Sequence, residues 1–501
     1  MFEIKDVDLA GRIGLLHTRS GTIETPAFFP VIDPLRQELP IEEIERAGFK
    51  QVITNAYLTL KRFGRRAVEE GIHGVLGFHG IIMTDSGAYQ ILEYGDIEAS
   101  QEDVIRFQES IGSDIGVILD IPTGDVGREE ARRSVEETLR RAREAASLIS
   151  GSRTLWVLPV QGGRHLDLVE YSASESGRLE GYSIYGIGSP TVFLERYMYE
   201  VVVDIVYTAK RLLPGGRPVH LFGAGHPLII PYAVALGVDT FDSASYILYA
   251  RDGRYITDYG VERLDRLEYF PCTCPVCSRY TPGELREMEK QERTKLLALH
   301  NLYKIRESIY KTKQYIREGR LWELLEETSM KHHKARDAMT RLTRYAIHLA
   351  RTDTRSKGIV RGIRLYTQTS LSNPKVLAYK SRATRLYTKI YTRPRYTLIL
   401  EPHTGDCTKP SENVEVVYYK PFLGVIPWQL CGVYPTVQSH HSGELEKEVI
   451  EDLAGEVRSF LSTLGPEKPG EVIMVIDNSI PWSVEVSKLL GELDVKIVRR
   501  M

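Results

Sequence analysis

Short apolar runs recur along the first 245 residues, and each run ends in a polar or glycine-rich turn. The runs are continuous and rich in Val, Ile and Leu, which is typical of strands buried on both faces of a parallel sheet. Helix-like stretches fill the intervals, at Pro40–Ala47, Gln101–Ser110, Glu129–Ser150 and Pro227–Leu236. Eight such strand–helix units predict an α/β fold, a closed (β/α)8 TIM barrel. The runs are 26–33, 51–57, 80–87, 115–124, 155–163, 182–190, 218–225 and 238–245.

The alternative architecture is a doubly wound open sheet, but no G-x-G-x-x-G follows the first strand. Beyond the barrel, a charged helical stretch is followed by alternating strand and helix patterns, which predict an α+β domain. We therefore divide the 501 residues into a barrel at 1–262, a helical subdomain at 263–345 and a C-terminal α+β domain at 346–501. A chain of this length is too long for one ordinary core, so several domains are expected.

A cluster of metal-binding residue types follows the last predicted barrel strand. Cys272, Cys274, Cys277 and His300 have the spacing C-x-C-x2-C-x22-H, which predicts a closed tetrahedral site for one structural Zn²⁺ per chain. Such a site leaves no position for water or substrate, so the chemistry must lie elsewhere. The alternative is that all five cysteines are ordinary reduced residues and that three of them are close in the sequence by chance.

Sequence features also bear on the compartment. No apolar run approaches the roughly 18 residues that a membrane-spanning helix needs. The N-terminal segment lacks the basic and apolar regions of a secretory signal. The two remaining cysteines, Cys407 and Cys431, are expected to be reduced, and a cytoplasmic protein with no membrane partner is predicted.

The formal net charge of −2 conceals a strong asymmetry. Residues 301–400 hold 23 Lys and Arg but 7 Asp and Glu, which indicates a polyanion partner. Tyrosines interleaved with these cations could stack on bases or ribose. The alternative is a solvated, Arg-rich helical surface. The tyrosines are Tyr303, Tyr310, Tyr315, Tyr345, Tyr366, Tyr379, Tyr387, Tyr391 and Tyr396.

Candidate catalytic residues lie where the predicted barrel strands end, because barrel active sites form at the C-terminal ends of the strands. Carboxylates on opposite sides of a bound sugar are the usual apparatus for breaking a glycosidic bond. A third carboxylate with an amide can read the edge of a heterocycle. The pattern therefore indicates glycosyl chemistry on a base. The strand ends carry Asp85, Asp120, Gln161, the turn 186–188, the turn 222–225 and Asp242.

These residues fall within motifs that resemble one enzyme family. TDSGAYQ (84–90), VQGG (160–163), GVDTFDSASY (237–246) and the cysteine–histidine motif together resemble the tRNA-guanine transglycosylases. LDIPTG (119–124), YGIGSP (185–190) and LFGAGHP (221–227) resemble the archaeal branch, and the likeness covers about residues 1–345. The resemblance implies exchange of guanine at position 15 of the tRNA D-arm for preQ0, the precursor of archaeosine.

The resemblance also implies the catalytic roles. Asp242 matches the nucleophile, which attacks C1′ of the ribose and forms a covalent intermediate. Asp239 is the rival, and we interpret it as structural because the nucleophile of the family follows the Phe. Asp85 matches the general acid/base that protonates guanine and deprotonates preQ0.

The base pocket follows from the same likeness. Asp120 is expected to accept hydrogen bonds from N1–H and the 2-amino group of the purine. Gln161 is expected to bind the O6 edge, helped by backbone N–H groups near Gly186. The aromatic faces that sandwich the base and a neighbouring hydroxyl are assigned to Tyr89, Phe222 and Ser86. Among the other histidines, His332 and His333 are weaker alternatives to His300 as zinc ligand, and His165 and His226 are interpreted as loop or pocket-rim residues.

The resemblance predicts partners as well. The zinc subdomain supports tRNA binding and a homodimer in this family, and residues 346–501 resemble the first C-terminal domain of the archaeal enzymes, a tRNA-binding accessory. The archaeal family commonly ends in an RNA-binding PUA domain, but this sequence ends at KIVRRM without a PUA-like pattern. A separate PUA-bearing chain or the basic block is then expected to supply tRNA affinity.

Three other functions stay open. A non-catalytic tRNA-binding paralogue would be expected to lack Asp85 or Asp242, and both are present. A hydrolytic N-glycosylase would need no pocket for a second base. A queuosine-type transglycosylase would act at the anticodon, and the archaeal motifs count against it.

Overall fold

The computed structural model describes residues 2–87, 100–353, 361–390, 396–464, 469–491 and 495–500, and for residues 388–390 the backbone alone. The chain forms two compact units. The first comprises Met1–Arg317 with Glu327–Leu342, and the second comprises Glu318–Glu326 with Thr343–Met501. The threefold division at residues 262 and 345 stays a prediction. No described helix is long and apolar enough to cross a membrane.

The first unit begins with an antiparallel sheet that the apolar pattern did not predict. Its strands are β1 (Phe2–Asp8), β2 (Gly11–His17) and β3 (Thr22–Glu24), paired in that order. Strand β1 reads FEIKDVD, and most of its residues are exposed or half-buried. This amphipathic strand was missed because it lacks the continuous apolar run that marks the barrel strands.

Eight parallel strands then close into a barrel in the order β10-β11-β4-β5-β6-β7-β8-β9. Each strand coincides with one of the eight apolar runs, so the predicted barrel is confirmed and the open sheet is wrong. Strands β4, β9 and β11 are buried at nearly every position, as strands covered on both faces should be. The strands are β4 (Ala27–Ile32), β5 (Gln51–Asn55), β6 (Ile81–Asp85), β7 (Ile115–Val117), β8 (Leu155–Val160), β9 (Ile184–Ile187), β10 (Val219–Leu221) and β11 (Thr240–Ser243).

Helices between the strands cover the outside of the barrel. The longest is amphipathic and buries Val135, Leu139 and Ala142 on one face while Arg and Glu face solvent. The helices are α1 (Ile41–Arg46), α2 (Ala56–Phe63), α3 (Arg65–Leu76), α4 (Gln101–Ser110), α5 (Arg128–Leu148), α6 (Leu166–Ser176), α7 (Thr191–Glu195), α8 (Tyr199–Lys210), α9 (Ile230–Ala235) and α10 (Ser245–Arg251).

After the barrel, a short hairpin and a series of helices carry the cysteine–histidine motif. Strands β12 (Arg254–Ile256) and β13 (Val261–Arg263) pair antiparallel, and a 3-10 turn spans Leu264–Arg266. Thr281 begins the next helix with a reciprocal capping box to Glu284. The helices are α11 (Pro282–Glu287), α12 (Lys290–Glu318), α13 (Leu321–Ser329), α14 (His333–Thr343) and α15 (Ala346–Thr352).

The second unit contains a five-stranded sheet with helices, which confirms the predicted α+β region. The strand order is β17-β16-β15-β19-β20, parallel except for the antiparallel β16–β17 pair. Strands β14 (Ile363–Leu365) and β18 (Ser439–His441) form a separate parallel pair. The other strands are β15 (Thr397–Pro402), β16 (Val414–Lys420), β17 (Gly424–Pro427), β19 (Glu471–Asp477) and β20 (Lys496–Arg500). The helices are α16 (Pro374–Ile390), α17 (Trp428–Cys431), α18 (Lys447–Thr463) and α19 (Pro481–Leu489), with 3-10 turns at Gln368–Ser372 and Thr436–Gln438.

The last two cysteines correct a prediction. Cys407 and Cys431, which were expected to be reduced, form a disulfide bond between the loop after β15 and helix α17. A sequence separation of 24 residues gave no indication of their proximity. They meet because β15 and β17 both flank β16 in the sheet.

Candidate functional site

Asp242 lies on the last barrel strand, β11, with one carboxylate oxygen held in place. Its Oδ1 accepts hydrogen bonds from the backbone N–H of Gly223 at 3.0 Å and from His220 Nε2 at 3.0 Å. His220 Nδ1 lies 2.9 Å from the hydroxyl of Thr240. The hydroxyl can donate to Nδ1, so a neutral imidazole can present Nε2–H to the carboxylate. These bonds leave Oδ2 available to a ligand.

Asp85 ends strand β6 and has an environment suited to proton transfer. Burial, followed by the negative charges of Asp120 and Asp242, raises the pKa of Asp85 to about 7. The backbone N–H groups of Gly87 and Ser86 act in the opposite direction. A carboxyl group with a pKa near neutrality can both donate and accept a proton, as a general acid/base must.

Asp120 and Gln161 form a connected pair next to this acid. Gln161 Nε2 donates to Asp120 Oδ2 at 2.6 Å. The Gln161 carbonyl oxygen accepts from the backbone N–H of Thr123 at 3.1 Å and from the hydroxyl of Ser189 at 2.7 Å. Since a backbone N–H can only donate, this contact fixes the orientation of the amide. The second N–H of the amide can donate to a carbonyl oxygen of a ligand.

Burial also affects the charge of Asp120. It raises the pKa of this carboxyl group to about 6, although the hydrogen bond from Gln161 opposes the shift. The side chain is therefore mostly ionised at neutral pH, and Oδ1, the oxygen that Gln161 does not contact, can accept from a ligand. An ionised carboxylate is the acceptor that two adjacent N–H groups of a purine require.

Two glycines, one within β9 and one just after it, make room for these side chains. A Cβ at Gly188 would lie 2.2 Å from Gln161 Nε2, and a Cβ at Gly186 would lie 2.4 Å from the ring of Phe222. Phe222 is half-buried and meets His220 edge-on, with 4.5 Å between ring centroids. The glycines thus let an amide and an aromatic ring approach the strand backbone.

The structure therefore brings together the predicted site residues at the C-terminal mouth of the barrel. Ser86 is buried beside them, and its hydroxyl has no hydrogen-bond partner among the described residues, as a ligand-facing hydroxyl would. Tyr89 lies outside the described residues. The residues brought together are Asp85, Asp120, Gln161, Gly186, Phe222 and Asp242.

Three site residues, His220, Thr123 and Ser189, were not predicted from the sequence. His220 lies within the apolar run 218–225. Side chains alternate between the two faces of a barrel strand, so His220 points to the same side as Phe222. This two-residue alternation could have identified His220 as a site residue from the sequence. Thr123 and Ser189 lie in loops far from Gln161 in the sequence and hydrogen-bond to its side-chain amide. No local sequence pattern indicates such contacts.

Asp239 has a different environment from Asp242. It is fully buried, pairs with Arg12 through both carboxylate oxygens, and accepts the backbone N–H of Val219 at 2.7 Å. These contacts join the N-terminal sheet to the barrel. This supports the structural interpretation of Asp239.

The predicted metal ligands also converge. The ligand atoms of Cys272, Cys274, Cys277 and His300 all lie within 4.8 Å of one another. His300 Nε2 lies 2.8 Å from the carbonyl oxygen of Ile256, which can only accept, so in a neutral imidazole Nδ1 is the nitrogen that can bind a metal ion. Nδ1 lies 3.4 Å from Cys274 Sγ and 3.3 Å from Cys277 Sγ. The residues fit a metal ion.

The alternative fourth ligands lie elsewhere. His332 and His333 stack on each other, and His332 packs against Tyr197 with 5.7 Å between ring centroids.

The two histidines interpreted as loop or pocket-rim residues have different surroundings. His165 contacts the carbonyl oxygen of Val126 at 3.0 Å in a loop. His226 is buried, and burial followed by the charge of His332 lowers its pKa to about 3.

The basic block is only partly available to a polyanion. Tyr379, Tyr387 and Tyr396 are buried in the core of the second unit, so the prediction that they stack on bases is wrong. Tyr391 lies outside the described residues. The remaining candidate interface is a set of exposed cations with a few tyrosines. In the second unit the exposed residues include Tyr366, Arg344 and Arg351, and in the first unit Tyr310 is exposed.

Comparison with known proteins identifies the family. The sequence profile of the family described as queuine tRNA-ribosyltransferase matches residues 7–334. The chain belongs to this family. The match includes the barrel and all four metal-ligand candidates, so the predicted class of enzyme, a pentosyltransferase acting on tRNA, is confirmed at the level of the family.

Similar proteins share most of the chain. A tRNA-guanine(15) transglycosylase from Aeropyrum pernix is 60% identical over 475 residues, which cover 93% of this chain and 92% of that protein. One from Sulfolobus acidocaldarius is 45% identical over 464 residues, covering 92% and 93%. One from Methanocaldococcus jannaschii is 42% identical over 463 residues, and the alignment covers 70% of that longer protein. The likeness therefore extends through the C-terminal unit.

Proposed function

We propose that this protein is a tRNA-guanine(15) transglycosylase, which exchanges guanine at position 15 of the tRNA D-arm for preQ0. The observation that carries the proposal is the pair of unlike carboxylates at the barrel mouth. Asp242 has one oxygen fixed by hydrogen bonds, whereas Asp85 has a pKa of about 7. Relatives named for this activity support the choice of substrate.

In the proposed first step, Asp242 Oδ2 attacks C1′ of the ribose. The bond between C1′ and N9 of guanine breaks, Asp85 donates its proton to the departing base, and an ester joins the ribose to Asp242. His220 and the backbone N–H of Gly223 hold Oδ1, which keeps the other oxygen directed at the substrate.

The second step reverses the first with a new base. Asp85, now ionised, removes the N9 proton of preQ0, and N9 displaces Asp242 from C1′. Asp120 would accept N1–H and the 2-amino group, and Gln161 would donate its free N–H to O6. Phe222 would contact the face of the base, with Ser86 at the pocket floor. One N-glycosidic bond replaces another, so no energy source is needed.

The four-residue cluster is proposed to bind one structural Zn²⁺, since three thiolates and an imidazole suit this ion. A bound ion would join the cysteine loop at 272–277 to helix α12 through His300, whose Nε2 also lies 2.8 Å from the carbonyl oxygen of Ile256 in β12. We propose a cytoplasmic location. A homodimer and a separate PUA-bearing chain stay predictions.

The test is base exchange into an unmodified tRNA transcript with labelled preQ0. The wild type should incorporate label at position 15, and Asp242→Ala should not. A transcript with adenine at position 15 is the matched substrate control and should stay unlabelled. Without preQ0, a wild-type protein–tRNA adduct should survive denaturation and be absent from Asp242→Ala.

The other candidate functions give distinct results in the same experiment. Label at the anticodon would indicate a queuosine-type enzyme. Release of guanine without incorporation would indicate a hydrolytic glycosylase. Binding of tRNA with neither product would indicate a non-catalytic paralogue, and incorporation by Asp242→Ala would remove Asp242 from the nucleophilic role.

A further inference from the structure

A second group of metal-binding residue types lies in the C-terminal unit, outside the proposed catalytic machinery. The ligand atoms of His403, Cys407 and Cys431 all lie within 4.8 Å of one another. His403 follows strand β15, Cys407 lies four residues later in the same loop, and Cys431 ends helix α17. His403 and Cys431 are buried, whereas Cys407 is exposed. The group therefore has a solvent-facing side.

The imidazole of His403 is the unexplained part of this group. The residue is 3% exposed, and neither ring nitrogen makes a hydrogen bond of good geometry within the described residues, although backbone groups of Cys431 and of His403 itself lie near the ring. The ring meets Tyr418 edge-on at 5.6 Å, and the backbone N–H of His403 donates to the carbonyl oxygen of Tyr419 at 3.0 Å. Burial of an unsatisfied polar ring costs free energy, so a partner for it is expected.

We propose that His403, Cys407 and Cys431 bind a divalent ion such as Zn²⁺ when the Cys407–Cys431 disulfide is reduced. Two thiolates and an imidazole are ligands that suit zinc, and their three positions leave a fourth for water on the exposed side. The Cα atoms of the two cysteines are 6.0 Å apart, so the two sulfurs can lie on one ion without movement of the backbone. The ion would satisfy the buried ring.

Reduction of the Cys407–Cys431 disulfide requires a reductant, which in this proposal is a small dithiol. Its thiolate attacks Sγ of the exposed Cys407, the S–S bond breaks, and Cys431 leaves as a thiolate. The second thiol of the reductant then displaces Cys407 and closes a cyclic disulfide. The reductant supplies two electrons. Metal binding releases to solvent any protons that the two cysteines still carry.

Charge in the neighbourhood permits this ion. Lys420 lies close enough to act on His403 electrostatically, but its ammonium group donates to the carbonyl oxygens of Thr436 at 2.9 Å and Ser439 at 3.2 Å. Two thiolates cancel the charge of a divalent cation, so the bound site adds no net charge beside the lysine. The oxidised and metal-bound forms exclude each other, because the same sulfurs serve both.

The test compares zinc content of the full chain in two redox states. One sample is oxidised and the other is treated with a phosphine reductant, and both are loaded with Zn²⁺ and passed through a desalting column under nitrogen. Mass spectrometry of the metal should find one more zinc per chain in the reduced sample. Equal content in the two samples would overturn the proposal.

Variants identify the ligands. Cys407→Ser removes one proposed ligand together with the disulfide, but no buried side chain, and should abolish the difference between the samples. His403→Ala should reduce it. Retention of the zinc bound by the Cys272 cluster and an unchanged circular dichroism spectrum serve as controls for folding. An additional zinc that persists in reduced Cys407→Ser would show adventitious binding and would also overturn the proposal.

Discussion

At the scale of single side chains, the contacts of His220 distinguish Asp242 from the other carboxylates at the barrel mouth. Its Nε2 lies 3.0 Å from Asp242 Oδ1. Because a small misplacement of a reacting group costs about 100-fold in rate, His220→Leu should lower kcat by about that factor. The KM for preQ0 should change little, since the proposed base contacts are made by Asp120 and Gln161. Steady-state kinetics of base exchange measures both.

The matched variant is His220→Gln, whose amide nitrogen can replace Nε2 as a donor. It should restore much of the wild-type kcat. Equal decreases in the Leu and Gln variants would indicate that His220 only fills space, and a change confined to KM would place it in substrate binding instead.

The raised pKa of Asp85 gives a prediction about stability and pH. In the folded protein the pKa is about 7, against about 3.9 for an unperturbed aspartate. Between these values the folded state keeps a proton that the unfolded chain has released, so stability falls as the pH rises from about 4 to about 7. Asp85→Asn removes this penalty. Relative to wild type, its free energy of unfolding should increase by about 2–4 kcal/mol between pH 4 and pH 8, at about 1.4 kcal/mol per pKa unit.

Denaturant unfolding of both proteins at the two pH values measures the difference. A constant difference would mean that the carboxyl group of Asp85 titrates alike in the folded and unfolded chains. That result would also weaken its assignment as a general acid, because its pKa would then lie far below neutrality.

At the scale of secondary-structure elements, the turn after β9 sets the position of Gln161. A Cβ at Gly188 would lie 2.2 Å from Gln161 Nε2, so Gly188→Ala should displace the amide from Asp120. The KM for preQ0 should rise at least about tenfold, in line with the removal of one good hydrogen bond to a charged group. Gly216→Ala is the control, because a Cβ there meets no atom within 4 Å. Similar KM values for the two variants would contradict the assignment.

The attachment of strand β2 to the barrel gives a prediction about Asp239. Asp239→Asn would leave the buried guanidinium of Arg12 without its carboxylate, which typically costs about 3–5 kcal/mol. The variant should be less stable but exchange bases at a normal rate per folded molecule. Asp242→Asn should do the reverse, with near-normal stability and no exchange. Thermal unfolding and exchange assays on this pair test the structural and nucleophilic assignments together.

The elements also show what the sequence could and could not predict. Strands such as β4 and β11 were predictable because burial on both faces requires continuous apolar residues. Strand β1 was not, because only one of its faces needs to be apolar. The disulfide was missed because Cys407 and Cys431 meet only through the sheet order, and the burial of Tyr379 was missed because composition does not tell which helix face packs inward.

At the scale of the whole molecule, the uneven distribution of charge gives a prediction about tRNA binding. The basic residues 301–400 belong to a chain with net charge −2, so phosphate binding should concentrate on their exposed cations. Arg344 and Arg351 are both exposed in the C-terminal unit. The double variant Arg344→Ala/Arg351→Ala should bind tRNA more weakly. The slope of log binding constant against log salt concentration should be less steep by about 2, because each phosphate that the variant no longer neutralises contributes about 0.9.

A charge-matched control separates this effect from the removal of two positive charges in general. Arg65 and Arg153 are exposed in the barrel unit, and Arg65→Ala/Arg153→Ala changes the net charge equally. Its salt slope should stay at the wild-type value, because counterion release depends on the phosphates that are neutralised and not on total charge. Filter binding of tRNA across a salt series measures both slopes. An equal decrease in the two variants would mean that the basic block is no docking surface, and affinity would then have to come from the barrel mouth or from a partner chain.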